Sequence, residues 1–343
     1  MKYRTLGRTG LKVSELCLGT MTFGENFFNI AVVNQADATR MVARALDAGI
    51  NFFDTADVYS YGGSEETLGR ALKESGVARD KLIVATKVRS PMSDSAASGT
   101  GDLNNVGLSR HHIFAAVEDS LRRLGTDYID LYQVHGWDIL TPIDETLRAL
   151  DDLVVAGKIR YIGCSNWTAR HLMKALMLSE KNDRARFVSL QAYYSIVARD
   201  LEYDLLPLCR EENVGILVWS PLAGGFVTGK YRRDSPGPAG TRRSGFDFPP
   251  IDQERGFDAV EAVEQVARTK GASIPQVGLA WLLAQSGVTS VIIGVNKMSQ
   301  LEDNLKAVDL ELTADEIETL STTTEPRPIY PQWMLKFQNE GRQ

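Results

Sequence analysis

Short apolar segments typical of buried strands alternate along this chain with longer segments of helical periodicity, through eight units. The segments predicted as strands are Cys17–Gly19, Asn51–Asp54, Leu82–Thr86, Tyr128–Val134, Ile159–Gly163, Phe187–Gln191, Val214–Trp219 and Ser290–Ile293. Unbroken apolar runs such as Val214–Trp219 are typical of parallel strands buried on both faces. Eight strand–helix units without an internal repeat favour a closed (β/α)8 TIM barrel over two separate domains.

The predicted helices follow the strands and begin at residues that favour helix starts. Ser109 is expected to cap one helix, Thr141 and Pro142 to open another, and Ser64 to begin a third. The helices are expected at Gln35–Ala48, from Ser64 to about Ser75, from Ser109 to near Leu124, after Thr141-Pro142, after Thr168, around Tyr203–Glu212 and at Ser299–Val308.

Four further segments extend the minimal barrel. Tyr3–Glu15 alternates around a glycine turn and predicts a hairpin that covers the N-terminal end of the barrel. Arg89–Leu108 and Pro221–Glu254 are long loops after the third and seventh strands, on the face where barrel active sites lie. The tail from Thr322 carries three aromatic residues. We therefore assign residues 1–343 to one barrel domain with a C-terminal tail from about residue 322.

Composition narrows the class of protein. A length of 343 residues with 43% hydrophobic residues is enough for a barrel core, and a net charge of −6 argues against nucleic acid or an anionic membrane as a partner. The N-terminus lacks the apolar stretch of a signal peptide, and no run approaches the roughly 20 residues of a spanning helix. Three widely spaced cysteines suit reduced thiols, and four histidines without HExxH spacing give little support for a metal site. We expect a soluble, cytoplasmic, metal-independent protein.

Polar side chains stand at or just past the ends of three successive predicted strands. Asp54 ends the second strand and is followed by Tyr59, Lys87 ends the third, and His135 follows the fourth. A free tyrosine has a pKa of about 10, which a nearby lysine lowers by favouring the phenolate, while an acid beside the lysine keeps it charged. Such groups at one end of a parallel barrel predict an active site.

One glycine-rich segment resembles a phosphate-binding loop but departs from it. Gly224–Tyr231 follows the GxxxxGK[ST] pattern except that Tyr231 replaces the hydroxyl residue that holds magnesium. No helix is expected directly after it, and we reject a nucleotide triphosphatase. A loop whose backbone N–H groups bind some phosphate remains a reasonable interpretation.

Six motifs carry a resemblance to a known family: DTADVYSYGGSEETLGRAL, ATKV, IDLYQVHGWD, GKIRYIGCSN, VWSPLAGGFVTGKY and QLEDN. Together they resemble the aldo-keto reductase superfamily, in the branch that includes bacterial reductases and potassium-channel β-subunits. The resemblance runs from about Tyr3 to Leu320. It implies a (β/α)8 barrel and reversible NAD(P)H-dependent reduction of aldehydes and ketones to alcohols.

The resemblance also implies roles for the polar residues. The family's catalytic tetrad falls on Asp54, Tyr59, Lys87 and His135. Tyr59 is implied to protonate the carbonyl oxygen, Lys87 with Asp54 to lower the pKa of the phenol, and His135 to orient the carbonyl.

Cofactor contacts are implied by the same resemblance. They fall on Gly19, Thr20, Met21, Asp54, Ser165, Asn166, Gln191, Trp219, Ser220, Leu222, Gly224, Gly229, Lys230, Gly294, Asn296, Gln300, Asp303 and Asn304. Many members have a basic residue where Asn296 or Gln300 stands here, and a glutamate in place of Asp303. Because Lys297 lies beside these residues, we expect NADP(H) to be preferred, with NAD(H) left open.

The aromatic residues Phe23, Phe27, Tyr61 and Trp137 are predicted near the mouth of the barrel, where Phe23, Tyr61 and Trp137 are candidates to contact a small carbonyl or alcohol substrate. The identity of the substrate, the direction of the reaction and the oligomeric state are left open. So are two alternatives to a free enzyme: a cofactor-binding regulatory subunit of low turnover, and a stress-response or structural protein on an inherited barrel.

Overall fold

The computed structural model describes residues 1–25, 27, 30–235, 237–238, 242–245 and 247–342. An antiparallel hairpin, β1 (Tyr3–Thr5) and β2 (Lys12–Ser14), precedes a closed barrel of parallel strands in which β10 returns to pair with β3. The barrel strands are β3 (Leu16–Gly19), β4 (Phe52–Asp54), β5 (Ile83–Val88), β6 (Ile129–Val134), β7 (Ile159–Ser165), β8 (Phe187–Tyr193), β9 (Gly215–Trp219) and β10 (Val288–Gly294). The predicted (β/α)8 barrel is confirmed.

The helices are α1 (Gln35–Asp47), α2 (Gly63–Glu74), α3 (Asp94–Ser98), α4 (Arg110–Leu124), α5 (Ile143–Val155), α6 (Ala169–Lys181), α7 (Leu205–Glu211), α8 (Arg242–Gly245), α9 (Gln253–Lys270), α10 (Ile274–Ala284), α11 (Met298–Leu305), α12 (Ala314–Thr323) and α13 (Gln332–Gln338). Helices α1 to α10 lie between successive barrel strands, and α11 to α13 follow the last strand. Among the described residues, none of these helices has both the length and the apolar character that crossing a membrane requires.

The hairpin covers the N-terminal end of the barrel, as predicted. Leu6 is fully buried in a cluster that includes Cys17 and Phe52 from the first two barrel strands. Arg4 donates hydrogen bonds to the carbonyl oxygens of Leu283 and Val288, both at 2.7 Å. The N-terminal end is thus filled by apolar side chains, and the polar residues at the strand ends lie at the opposite, C-terminal rim.

Helix and strand ends differ from the predictions where a polar side chain binds elsewhere. Helix α2 starts at Gly63, one residue before the predicted Ser64. The Ser64 hydroxyl donates to the Thr20 carbonyl oxygen at 2.7 Å and does not cap the helix. Thr141 does not cap α5, because its hydroxyl donates to Asp138 and Pro142 takes the cap position.

Helices α9 and α10 were not predicted, and α9 begins inside the predicted loop Pro221–Glu254. Residues 236, 239–241 and 246 of that loop lie outside the described residues.

Candidate active site

The C-terminal rim of the barrel brings together the four residues at the predicted strand ends. Asp54 is the last residue of β4, Lys87 lies one residue before the end of β5, and His135 directly follows β6. Tyr59 begins the short 3-10 turn Tyr59–Gly62 between β4 and α2. Because β4, β5 and β6 are neighbours in the barrel, the four side chains come from adjacent strand ends.

Lys87 is fully buried at the centre of this group. Its ammonium donates to Asp54 Oδ1 at 2.5 Å, to the carbonyl oxygen of Thr55 at 2.8 Å and to Tyr59 Oη at 3.4 Å. Burial alone would lower the pKa of Lys87, but the charge of Asp54, the Tyr59 phenol and their hydrogen bonds outweigh it and raise the pKa. Lys87 therefore stays charged at neutral pH and directs that charge at the phenol.

The second carboxylate oxygen of Asp54 is held by two amides from distant strands. Gln133 Nε2 donates to Asp54 Oδ2 at 3.0 Å and Gln191 Nε2 at 2.8 Å. These bonds satisfy a charge that is only 2% exposed and fix its direction toward Lys87. Gln133 was not predicted as a site residue, since it lies inside an apolar strand whose sequence does not reveal which side chains face the barrel interior.

Tyr59 is half-buried, and burial raises the pKa of its phenol. The charge of Lys87 and its hydrogen bond lower the pKa, whereas Asp54 and Asp57 raise it further, and the net direction is upward. The contribution of Lys87 to the pKa has the predicted sign, but desolvation, which the sequence does not reveal, outweighs it. A phenol with a raised pKa is protonated at neutral pH, which is the form that donates a proton.

The turn that begins at Tyr59 contains left-handed backbone. Ser60 and Tyr61 have φ of 51° and 47°, in a region that residues with a Cβ enter only at a cost in free energy. Gly62 follows with φ 95°, and a Cβ there would lie 2.6 Å from the Arg123 side chain. Arg123 in turn donates to the fully buried Glu65 at 2.7 Å, which fixes the turn against α4. Such strain is common at functional sites.

His135 packs edge-on against Tyr59, with ring centroids 5.7 Å apart. Burial, followed by the charges of Lys87 and Arg89, lowers the pKa of His135 well below its usual value. His135 is therefore neutral at pH 7, and a neutral imidazole donates one N–H to an acceptor such as a carbonyl oxygen.

Asn166 connects several of the predicted nicotinamide contacts. Its side-chain amide donates to the His135 carbonyl oxygen and to Ser165 Oγ, both at 3.0 Å, and accepts from Trp219 Nε1 at 3.1 Å. Trp219 stacks with Tyr193 (4.9 Å between centroids) and with Phe248 (5.8 Å). These side chains form a polar and aromatic surface beside Tyr59 and His135, to which the sequence did not assign Tyr193 or Phe248.

The predicted pyrophosphate residues lie on the loop that follows β9. Gly224 has φ 65°, and a Cβ there would meet the Phe248 carbonyl oxygen at 2.6 Å, so only glycine fits the close approach of the two loop segments. Ser220 Oγ accepts from the N–H of Gly224 at 3.0 Å. The remaining residues of this predicted group on the same loop are Leu222, Gly229 and Lys230.

The predicted adenosine residues lie between the end of β10 and α11. Gln300 Oε1 accepts from the N–H groups of Asn296 and Lys297 at 2.8 and 3.2 Å, so this amide caps the helix. Asp303 accepts from Ser273 and Gln276, both at 2.6 Å, and ties α11 to α10. Gly294 is exposed and Asn304 is buried.

Gly19 is the last residue of β3, and Thr20 and Met21 follow it at the same rim. The N–H of Thr20 donates to the Asp54 carbonyl oxygen at 2.9 Å.

The predicted substrate residues differ in exposure. Phe23 is fully buried in the core, so we leave it out of the proposed pocket. Tyr61 is 51% exposed, Phe27 packs edge-on against Tyr59 at 5.8 Å between centroids, and Trp137 is half-buried. Tyr61 and Trp137 remain candidates, and Phe27, predicted only to lie near the mouth, packs beside Tyr59.

Asp57 is a buried carboxyl group beside the site. It is 1% exposed, its Oδ1 accepts from the N–H of Val58 at 2.6 Å, and its Oδ2 has no partner among the described residues. Burial, and then the charge of Glu65, raise the pKa of Asp57 well above its usual value. The folded state therefore binds this proton more tightly than the unfolded state, and stability falls as the pH rises from about 4 through the folded pKa.

Replacing Asp57 by Asn tests this assignment. Asn keeps an acceptor for Val58 and cannot ionise, so we expect Asp57→Asn to raise the melting temperature at pH 8 and to change it much less at pH 4. Thermal unfolding at both values measures the difference, with the exposed Asp80→Asn as control. A gain that does not depend on pH would contradict the assignment.

Comparison with known proteins identifies the family to which this arrangement belongs. A sequence model described as "Aldo/keto reductase family" matches residues 15–325. This chain belongs to the aldo/keto reductase family. It is accordingly an oxidoreductase, and family members generally use nicotinamide cofactors.

Relatives of this aldo/keto reductase align over nearly their whole length. The "Uncharacterized oxidoreductase YrpG" of Bacillus subtilis (strain 168) is 38% identical over 94% of this chain and 95% of its own. The "Versiconal hemiacetal acetate reductase" of Aspergillus parasiticus is 35% identical over 96% and 99%. A "Probable voltage-gated potassium channel subunit beta" of Arabidopsis thaliana is 34% identical over the same shares of the two chains. The resemblance to a branch with bacterial reductases and channel β-subunits is thus confirmed.

Proposed function

We propose that this aldo/keto reductase reduces aldehydes or ketones to alcohols with NADPH, and that Tyr59 is the proton donor. The observation that carries the proposal is the buried Lys87, which bonds Asp54 and Tyr59 at once beneath a half-buried phenol. A carboxylate, an ammonium and a phenol in series are costly to bury unless each has its partner. The series ends at Tyr59, which is the only one of the three that is partly exposed.

The chain's own residues hold and move the proton. Tyr59 begins protonated, because a phenol whose pKa is not lowered keeps its proton at neutral pH, and it donates that proton to the substrate oxygen as negative charge develops there. The ammonium of Lys87 stabilises the phenolate that remains, and Asp54 keeps Lys87 charged. Neutral His135 donates a hydrogen bond to the same oxygen and orients it. A bound reduced nicotinamide supplies the hydride.

The donors at the rim fit a nicotinamide dinucleotide. Asn166 and Ser165 present amide and hydroxyl groups beside His135 for a carboxamide. In the loop after β9, Gly224 allows the backbone to pass close to Phe248. The exposed Asn296 and Lys297 lie at the start of α11, where N–H groups and a cation suit a phosphate. We assign these three groups to nicotinamide, pyrophosphate and adenosine phosphate.

Lys297 is proposed to select NADPH. Gln300 is neutral and its amide oxygen caps α11, so we assign the 2′-phosphate to the ammonium of Lys297 at the same turn. We expect Lys297→Glu to weaken NADPH binding by about 10-fold or more and to change NADH binding much less. Calorimetric titration with both cofactors measures this, and Lys306→Glu, just past the other end of α11, is the matched control. Equal affinities of the unaltered protein for the two cofactors would contradict the proposal.

A panel of aldehydes, ketones and sugars, followed by nicotinamide absorbance with both cofactors, tests the function itself. We expect turnover of several aldehydes with NADPH. The β-subunit relatives make a cofactor-binding regulatory role the second candidate. Tight NADPH binding with no turnover across the whole panel would favour that role over the enzyme.

A further inference from the structure

Arg89 lies at the catalytic rim, yet the proposed mechanism does not use it. It is the first residue after β5, two positions beyond Lys87, and it is half-buried. Its Nε donates to the carbonyl oxygen of Trp137 at 3.2 Å, and its Cδ and Nε would lie 3.6 and 3.7 Å from a Cβ on Gly136. The side chain therefore runs along the segment that begins at His135, and its charge helps to lower the His135 pKa.

The guanidinium of Arg89 has no carboxylate partner among the described residues, although many arginines of this chain pair with one, as Arg79 does with Asp130. The nearby carboxylate of Asp138 is held instead by three other donors: the N–H groups of Leu108 and Leu140, and the Thr141 hydroxyl. Nε of Arg89 is bonded to a carbonyl oxygen, and in the described part of the chain its terminal N–H groups have no hydrogen-bond acceptor, so they can bind one from a ligand. Such a fork matches carboxylate and phosphate in bidentate geometry.

The backbone of Arg89 is also unusual. Its φ is 137°, a conformation that glycine adopts freely and that residues with a Cβ rarely adopt. A residue held in such a region costs free energy, and residues of this kind cluster at ligand-binding sites. The strained backbone fixes the direction in which the guanidinium leaves β5.

We propose that Arg89 binds an anionic group of the carbonyl substrate, a carboxylate or a phosphate, while Tyr59 and His135 hold the carbonyl oxygen. This inference rests on the proposed function and adds the class of substrate. Trp137 follows His135 by two residues, and its carbonyl oxygen accepts the hydrogen bond from Arg89. Its ring stacks on His171, with 3.7 Å between the ring centroids. The substrate is therefore an aldehyde or ketone that also carries a carboxylate or a phosphate.

Three matched aldehydes test the proposal with the intact protein and NADPH. 4-Carboxybenzaldehyde carries a carboxylate, 4-formylphenyl phosphate carries a phosphate, and methyl 4-formylbenzoate is the neutral reference. We expect kcat/KM for at least one of the two anions to exceed that for the ester. A charge-assisted bidentate contact corresponds to about 10- to 100-fold, so Arg89→Met should reduce the anion-to-ester ratio by that factor. Arg89→Lys keeps the charge but not the planar fork, so its anion-to-ester ratio should lie between those of the unaltered protein and Arg89→Met.

Arg148→Met removes an exposed arginine of α5 and controls for the change in net charge, so its ratio should equal that of the unaltered protein. The unaltered protein also provides a test that needs no variant. Added salt should lower kcat/KM for the preferred anion much more than for the ester, because salt screens the guanidinium.

Particular outcomes would overturn the inference. One is equal kcat/KM for the ester and for both anions in the unaltered protein. Another is an anion-to-ester ratio of kcat/KM that Arg89→Met leaves unchanged. A larger effect on the phosphate or on the carboxylate identifies which anion is preferred. If no aldehyde is reduced at all, the proposed function fails; if all three are reduced without an anion preference, only the role of Arg89 fails.

Discussion

Tyr59→Phe is expected to lower the turnover of aldehydes by about 10²- to 10⁴-fold, the usual range for loss of a general acid. The substitution removes one hydroxyl and keeps the ring that packs against His135 and Phe27. The fold and the affinity for NADPH should therefore change little. Turnover is measured by nicotinamide absorbance, and NADPH affinity by quenching of tryptophan fluorescence or by calorimetry.

Tyr128→Phe is the matched control for this substitution. Tyr128 immediately precedes β6, at the end of the barrel away from the rim, and its ring packs against Arg79 and Arg160. It loses the same hydroxyl without touching the proposed site, so its turnover should equal that of the unaltered protein. A Tyr59→Phe protein that keeps near-normal turnover would refute the proposed proton donor.

Lys87→Met is expected to lower both activity and stability. Without the ammonium, the phenolate formed after proton transfer loses its stabilising charge, and the pKa of Tyr59 rises further. Asp54 is left buried without its cation, and breaking such a pair costs about 3–5 kcal/mol of unfolding free energy. Turnover should fall by at least the order expected for Tyr59→Phe, and urea unfolding should show the lost stability.

A double variant separates the two effects of Lys87. Lys87→Met with Asp54→Asn removes both charges and keeps an oxygen for the amides of Gln133 and Gln191. Stability should recover most of what Lys87→Met lost, whereas activity should stay low. Tyr59→Phe added to Lys87→Met should cost little more activity, because both residues serve one proton transfer. Recovery of activity together with stability would mean that Lys87 acts only structurally.

The strands were predicted to within about two residues because buried parallel strands are continuous apolar runs bounded by polar residues. Lys87 and Ser165 lie inside β5 and β7, one or two residues beyond the predicted ends, since the barrel continues its hydrogen bonds past the last apolar residue. Helix α10 was not predicted, because it is itself an apolar run. It is buried over seven consecutive residues, Gln276–Leu282, so it lacks the polar face on which the prediction of a helix depends.

The sequence by itself determined the barrel and the strand ends at which Asp54, Tyr59, Lys87 and His135 stand, because both follow from local spacing along the chain. Only the tertiary structure decided how these groups interact. Gln133 and Gln191 reach Asp54 across 79 and 137 residues of chain, and the pKa of Tyr59 rises because burial outweighs the charge of Lys87. That the Arg89 guanidinium has no carboxylate partner in the described part of the chain is likewise a property of its surroundings. Burial and distances between remote strands set the electrostatics of the site, and neither can be read from the order of residues.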